Sequence, residues 1–281
     1  MKYYSDAKII VQAAFKFHLN GNLKKAREYY LDALKINPGE FDALHMLGVI
    51  ELEAGRILKA KELLNKAIDI HPNHPGAINN AGLVALEENR LELAAQKFKH
   101  AIDIDPSFIQ AKCNLALTWF KLKNYAESIS ILEATQLSGT LPAEAYNTLG
   151  MALIALHRTD DAIEALNLAV LHNNHYPEAY YNLGNAFSAL KRPADALACY
   201  DKALACNNKL AEAWFNRGNS LRELCLFQEA IKSFEQAEIL NHQIPGLLGL
   251  KIHTQMYFCE WSNFERDKAR LMKGIENGSL I

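Results

Sequence analysis

Apolar residues recur at helical spacing along the chain, in pairs of short stretches separated by a tight turn. In residues 177–210, Tyr180, Leu183 and Phe187 share one helical face before the turn, and Tyr200 belongs to the apolar face after it. No stretch shows the sustained alternation of apolar and polar residues that indicates a strand. The pattern therefore predicts an all-α protein built from pairs of short amphipathic helices.

This pattern repeats every 34 residues, and three places of the repeat hold small residues in register. The eighth place holds Ala14, Gly48, Gly82, Ala116, Gly150, Gly184 and Gly218; the twentieth holds Ala26, Ala60, Ala94, Ser128, Ala162, Ala196 and Ala230; the twenty-seventh holds Ala33, Ala67, Ala101, Thr135, Ala169, Ala203 and Ala237. Small side chains are needed where two helices approach closely, because larger ones would force the axes apart. We expect these places to lie at helix–helix contacts.

A helix–turn–helix unit of this length with these small residues resembles the tetratricopeptide repeat family over roughly residues 7–244. The resemblance implies a right-handed α-solenoid, a superhelix in which each unit buries its apolar face against its neighbours. The predicted units are 7–40, 41–74, 75–108, 109–142, 143–176, 177–210 and 211–244. Residues 1–6 form a lead in this prediction, with Ser5 or Asp6 capping the first helix.

The ends of the units carry helix-terminating residues. Units five to seven end in asparagines, which tolerate the left-handed backbone conformation that often terminates a helix. These asparagines are Asn173, Asn174, Asn207, Asn208 and Asn241. Residues 245–281 predict a degenerate eighth unit and a C-terminal capping helix at roughly 263–276, in which Ser262 and Glu265 form a capping box.

The tail carries a second, narrower resemblance. From Cys259 to Gly278, a Cys-acidic-Trp cluster precedes a helix that contains Phe264. This resembles the junction in bacterial relatives of the O-linked N-acetylglucosamine transferase family, where repeats lead into a two-lobed sugar-nucleotide catalytic region. The resemblance implies either the substrate-recognition arm of a larger protein glycosyltransferase or a freestanding relative. These residues do not include a catalytic region.

Composition limits the classes of partner. The 281 residues carry a net charge of -2 with a pI of about 6.6, so bulk charge does not attract nucleic acid or an anionic membrane. We find no signal peptide and no apolar run of membrane-spanning length, and therefore expect a cytoplasmic protein. Five cysteines at unrelated spacings are typical of reduced thiols.

Candidate catalytic and metal-binding residues are few. His71 with His74, and His172 with His175, form HxxH pairs in turns between units, without a further ligand at suitable spacing. We interpret them as loop histidines and expect no metal, no cofactor and no catalytic activity in this chain.

The informative polar residues lie in the first helix of each unit. The sixth place holds Asn80, Asn114, Thr148, Asn182 and Asn216, and one helical turn later stand Asn185 and Asn219, with the charged neighbours Arg222 and Glu223. Asparagine is a poor helix-interior residue, so helix propensity does not explain this pattern. One interpretation is a groove that grips the main chain of an extended peptide, because a carboxamide both donates and accepts hydrogen bonds. The transferase family has such asparagines on its repeats. The other interpretation is hydrogen bonding between helices.

Three functions follow from these observations. The first is a non-catalytic scaffold that binds an extended segment of a protein or peptide partner in its concave groove. The second is the substrate-recognition region of a transferase-like enzyme. The third is a scaffold that forms a homodimer through the exposed ends of the solenoid.

Overall fold

The computed structural model describes residues 2–259, 261 and 263–276, with side chains from Asp6 onward. Within these residues the chain forms sixteen α-helices and no strand, which confirms the all-α prediction. The helices are α1 Lys2–Leu19, α2 Leu23–Ile36, α3 Phe41–Glu53, α4 Ile57–Ile70, α5 Pro75–Glu87, α6 Leu91–Ile104, α7 Ile109–Lys121, α8 Tyr125–Ser138, α9 Ala143–Ala155, α10 Thr159–His172, α11 Pro177–Ala189, α12 Pro193–Cys206, α13 Ala211–Glu223, α14 Phe227–Leu240, α15 Leu247–Phe258 and α16 Phe264–Glu276.

The contacts divide the chain after Thr140 into two compact halves, which we call the amino-terminal (first) unit and the carboxyl-terminal (second) unit. The 34-residue helix pairs are called repeats from here on. In the first, α1 to α8 pack as consecutive pairs, and each second helix also contacts the first helix of the next pair. The same order holds from α9 to α14 in the second unit. In both units, neighbouring first helices contact each other directly, as α5 contacts α7 and α11 contacts α13. Each unit is thus a stacked helical solenoid in which the first helices form a layer.

The small residues of the eighth place receive a large side chain from the second helix of the same pair. A Cβ atom added to Gly184 would lie 2.5 Å from Cε1 of Tyr200, and one added to Gly150 would lie 2.5 Å from Cγ of Leu166. Tyr200 and Leu166 stand at the twenty-fourth place of their repeats and are almost fully buried. Glycine is therefore required because a side chain occupies the volume that its Cβ would fill.

One prediction about helix ends was wrong, and the terminal asparagines adopt the extended rather than the left-handed conformation. Helix α1 begins at Lys2, so Ser5 and Asp6 lie inside its first turns and do not cap it, since the chain continues the helix toward its amino terminus. The asparagines after α10 and α12 have extended backbones, with φ of -140° at Asn173 and -147° at Asn207.

The extended conformation lets these asparagines accept a local hydrogen bond. Oδ1 of Asn207 accepts from the backbone N–H of Lys209 at 3.1 Å, and Oδ1 of Asn173 accepts from the N–H of His175 at 3.0 Å. Asn241 has the same extended backbone and accepts from Gln243 at 3.0 Å. In each of these turns the asparagine side chain satisfies the backbone N–H two residues later. An asparagine with a left-handed backbone would leave this N–H to another partner.

The left-handed conformation occurs instead at the turn inside each pair. Residues at the fifteenth place have positive φ in all seven repeats: Gly21, Gly55, Asn89, Lys123, His157, Lys191 and Cys225. Two of them are glycine, which adopts this conformation without steric cost.

The last two helices are joined by buried charges. Nζ of Lys251 lies 2.7 Å from Oε2 of Glu238 and 2.7 Å from Oδ2 of Asp267. These contacts link α15 to α14 and to α16. Side-chain hydrogen bonds and charge from Lys251 outweigh burial and hold the pKa values of both carboxyl groups below their usual range. The predicted capping box before α16 includes Ser262, which lies outside the described residues.

Candidate protein-binding face

The predicted asparagines lie on one face of the first helices, which we call the first-helix face and define by places five, six and nine of each repeat. In the amino-terminal unit this face carries a chain of hydrogen bonds across three repeats. Nδ2 of Asn114 donates to Oδ1 of Asn79 at 2.9 Å, Nδ2 of Asn79 donates to Oδ1 of Asn80 at 3.2 Å, and Nδ2 of Asn80 lies 2.9 Å from Nε2 of His45. Gln110 extends the chain by donating to Asn114. Asn80 and Asn114 therefore connect neighbouring helices.

The carboxyl-terminal unit repeats this arrangement independently. Nδ2 of Asn182 donates to Oδ1 of Asn147 at 2.9 Å, which joins α11 to α9. Nδ2 of Asn216 donates to Oδ1 of Asn185 at 2.9 Å and so joins α13 to α11. The hydroxyl of Tyr200 donates to the same oxygen of Asn185 at 2.8 Å. The asparagine amides are thus part of a packed helix–helix interface, as the second interpretation of the sequence required.

The remaining predicted residues have different environments. Thr148 is buried, and its hydroxyl donates to the backbone carbonyl of Glu144 at 2.9 Å, so it does not present a polar group on the face. Oδ1 of Asn219 is covered and has no hydrogen-bond partner among the described residues. Arg222 is half-buried near the end of α13, and Glu223 beside it is exposed.

Asn182 and Asn185, on the first-helix face of the second unit, each keep one polar atom that has no hydrogen-bond partner among the described residues. Asn182 and Asn185 are both half-buried, and each uses one end of its amide between helices. The side-chain carbonyl oxygen of Asn182 is therefore available to accept a hydrogen bond from a ligand, and the amide nitrogen of Asn185 is available to donate one. The two residues lie one helical turn apart on the same face.

Burial keeps two groups neutral, His45 on this face and Tyr200 on α12, which contacts the face through Asn185. The pKa of His45 is lowered to about 4, chiefly because burial disfavours its charged form and further because His74 lies nearby. Its Nε2 can therefore accept the hydrogen bond from Asn80. Burial also raises the pKa of the Tyr200 hydroxyl far above its usual value, so that this group stays a donor.

Sequence reasoning missed the residues of the fifth place, which supply the partners. These are His45, Asn79, Asn147 and Tyr181. The available signal was a second polar side chain directly before the polar residue of the sixth place, as in Asn79-Asn80 and Asn147-Thr148.

The histidine pairs stand at the turns between repeats, and the ring centroid of His74 lies 5.2 Å from that of His45, the partner of Asn80. His71 and His74 pack around Phe41 with ring centroids 4.6 Å and 4.7 Å from its ring. Nδ1 of His74 accepts from the backbone N–H of Ala77 at 3.1 Å, so His74 caps α5. In the part of the chain that the structure describes, no three histidine, cysteine or acidic side chains are placed to hold a metal ion. None of its helices is both long and apolar enough to span a membrane.

Structural comparison finds many solved chains with this fold. A chain of the Cut9–Hcn1 hetero-tetramer of APC/C shares 20% identity and a TM-score of 0.65; the match covers 85% of this chain and 47% of that one, so this chain spans about half of its length. A tetratricopeptide repeat protein from Parabacteroides merdae shares 17% identity and a TM-score of 0.63, over 86% of this chain and 94% of that one. YrrB, described as a tetratricopeptide repeat protein with an unusual peptide-binding site, shares 20% identity and a TM-score of 0.57, over 70% and 99%. At these identities the likeness shows the fold.

Sequence comparison with curated proteins finds none that matches. Four family patterns described as "Tetratricopeptide repeat" match residues 17–80, 143–171, 177–209 and 211–243. These segments end before the tail, so they do not bear on its resemblance to a transferase junction. Together they span more than half of the 281 residues, and the chain belongs to the tetratricopeptide repeat family.

Proposed function

We propose that this chain is a non-catalytic protein-interaction scaffold that binds an extended segment of a partner protein on its first-helix face. The observation that carries the proposal is the pair formed by the Asn182 carbonyl oxygen and the Asn185 amide nitrogen. An extended peptide presents carbonyl and N–H groups along its main chain, so an acceptor and a donor one helical turn apart are complementary to it.

The helix–helix hydrogen bonds support this role as well as the fold. Because Asn147 and Asn216 hold the other ends of the two amides, their outward groups have a fixed orientation before any ligand arrives. A preorganised group loses less conformational entropy on binding than a mobile side chain does. The solved fold relative YrrB, whose description names a peptide-binding site, is consistent with binding of this kind.

A selection of random twelve-residue peptides displayed on phage would test the proposal, using the parent chain as bait. Asn185→Asp keeps the oxygen that accepts from Tyr200 and Asn216 but removes the outward donor. The matched control is Asn167→Asp, which adds the same charge at an exposed position of a second helix. We expect Asn185→Asp to weaken peptides of unrelated sequence together, by about 2- to 10-fold per lost hydrogen bond. Asn167→Asp should bind like the parent.

Two results would contradict the proposal. One is a selection that enriches no peptide above an unrelated bait. The other is a set of enriched peptides that bind Asn185→Asp as tightly as the parent. No contact or match described above favours the transferase-associated role or the homodimer, and we do not propose either.

A further inference from the structure

A pocket of about 480 Å³ lies between α1, α2 and α3 in the amino-terminal unit. Its walls are mostly apolar and include Val11, Phe15 and Met46, with Lys16 and Asp42 as charged members. Phe15 is 43% exposed although its side chain is large and apolar. The volume falls within the range of roughly 300–1,000 Å³ that ligand pockets occupy.

Tyr30 contributes to this pocket and is fully buried, with 0% of its surface exposed. Its hydroxyl has no hydrogen-bond partner among the described residues. The pKa of this hydroxyl is raised to about 12, first by burial and then by the nearby Asp42. The group is therefore an uncharged donor without an acceptor, which is rare in folded proteins and costs stability.

The equivalent tyrosine of the sixth repeat shows why Tyr30 lacks a partner. Tyr200 donates to Asn185, which stands at the ninth place of its repeat, and Asn216 at the sixth place of the next repeat donates to the same oxygen. The residues at these two places around Tyr30 are Phe15 and Met46. Phe15 and Met46, which stand at the places of Asn185 and Asn216, thus offer Tyr30 no amide acceptor and form apolar walls of the pocket.

We propose that this pocket binds a bulky apolar side chain of a partner's extended segment, whose adjacent main-chain carbonyl accepts a hydrogen bond from Tyr30. The proposal rests on the function proposed above. Val11, Phe15 and Met46 fit an apolar side chain, while the Tyr30 hydroxyl and the Asp42 carboxylate fit a peptide carbonyl and N–H. Because Tyr30 is fully buried, binding in this proposal includes a rotation toward solvent of the Phe15 ring, which stands at the place that Asn185 has beside Tyr200.

The methionines of the full chain provide a direct readout by NMR. With ¹³C-labelled methionine methyl groups, Met46 reports on the pocket, and Met256 and Met272, which lie on α15 and α16, serve as internal controls. The probe is N-acetyl-tryptophan amide, which carries a bulky apolar side chain between two amide groups. We expect a saturable shift of the Met46 signal with millimolar affinity and unchanged control signals. N-acetyl-glycine amide, which lacks the side chain, should produce no shift.

Two variants test the role of the hydroxyl. Tyr30→Phe should weaken the probe by about 2- to 10-fold, because one hydrogen bond is lost. Phe15→Asn offers Tyr30 the acceptor that Asn185 offers Tyr200, and should abolish the saturable Met46 shift without lowering the melting temperature.

Several outcomes would overturn the pocket proposal: an unmoved Met46 signal in the parent, a common shift of all methionine signals, or equal affinity of the parent and Tyr30→Phe. The parent titration alone decides the first two, whether or not the variants fold. An unmoved Met46 signal leaves the peptide selection and the Asn185→Asp comparison intact, since these concern the other unit. A failed peptide selection overturns the function proposed above even where Met46 responds to the probe.

Discussion

The hydroxyl of Tyr200 donates a hydrogen bond to Oδ1 of Asn185 across 2.8 Å, and this contact joins the two helices of one repeat. Tyr30 occupies the same place in the first repeat and has no such partner among the described residues. Two chemically identical, deeply buried hydroxyl groups therefore contribute to stability with opposite sign. The Tyr200 hydroxyl makes a hydrogen bond in the folded chain, whereas the Tyr30 hydroxyl has lost its hydrogen bonds to water and gained none in return.

Matched substitutions to phenylalanine measure this difference. Tyr200→Phe should lower the free energy of unfolding by about 0.5–1.5 kcal/mol, because a hydrogen bond is lost while the ring stays packed. Tyr30→Phe should leave stability unchanged or raise it, since it removes an unpaired buried donor. Urea unfolding of both variants and the parent, followed by circular dichroism, gives the comparison. Equal losses in the two variants would show that Tyr30 has a hydrogen-bond partner in solution.

The eighth-place glycines offer a second matched pair. Gly184→Ala should destabilise the chain by about 1–3 kcal/mol, because the new Cβ would lie 2.5 Å from the ring of Tyr200 and the helices would have to separate. Gly249→Ala is the control, since nothing lies within 4 Å of a Cβ at this helical position and alanine favours the helix. Thermal melting of the two variants should show a fall for the first and no fall for the second. A tolerated Gly184→Ala would contradict the account of the small residues.

The sequence was sufficient for the helices and their pairing because the signals involved are local. The 34-residue period and the small residues at fixed places can be read directly from the sequence. The structure shows that the ring of Tyr200 occupies the space that a larger residue at Gly184 would need. The partners of the asparagines were not predictable in this way. They depend on which side chain of the preceding repeat stands opposite, and this is His45 for Asn80 but Asn147 for Asn182.

The conformation at Asn207 illustrates a second limit. Asparagine tolerates both the left-handed and the extended backbone, so its identity alone does not choose between them. The choice follows from the hydrogen bond that its side chain accepts from Lys209, which requires the extended form. The left-handed conformation occurs instead at the turn inside each helix pair. At Lys191 and Cys225 the residue type does not indicate this conformation.

Lys191 provides a prediction from backbone conformation. Its φ of 57° places a side chain with a Cβ in the left-handed region, whereas Gly21 and Gly55 hold the equivalent turns of the first two repeats. Lys191→Gly should therefore stabilise the chain by about 0.5–1 kcal/mol, the relief of strain outweighing the entropy that glycine gains in the unfolded state. Lys232→Gly, in the interior of α14 where the backbone is helical, should destabilise it by about 1 kcal/mol. Chemical denaturation distinguishes the two, and a loss at both positions would contradict the prediction.

His45 predicts how the amino-terminal unit responds to acid. In the folded chain its pKa is lowered to about 4, while the unfolded value is about 6.5, so between these values the unfolded chain binds more protons. The groups that act on its pKa are His74, which lowers it, and Asp42 and the backbone at Gly76, which raise it. The stability that neutral His45 provides is complete above pH 6.5 and is lost as the pH falls toward 4. The full loss amounts to roughly 3 kcal/mol.

A comparison of variants isolates this contribution from the carboxyl groups that titrate in the same range. His45→Gln keeps an acceptor for Asn80 and does not titrate, so its unfolding free energy should fall less than that of the parent between pH 7 and pH 4.5. His100→Gln, at an exposed position of α6, should follow the parent at every pH. The measurement is urea unfolding at four or five pH values, and the difference between parent and variant is the quantity of interest. A difference that stays constant with pH would mean that His45 titrates near its usual value and that its nitrogen does not accept the hydrogen bond from Asn80.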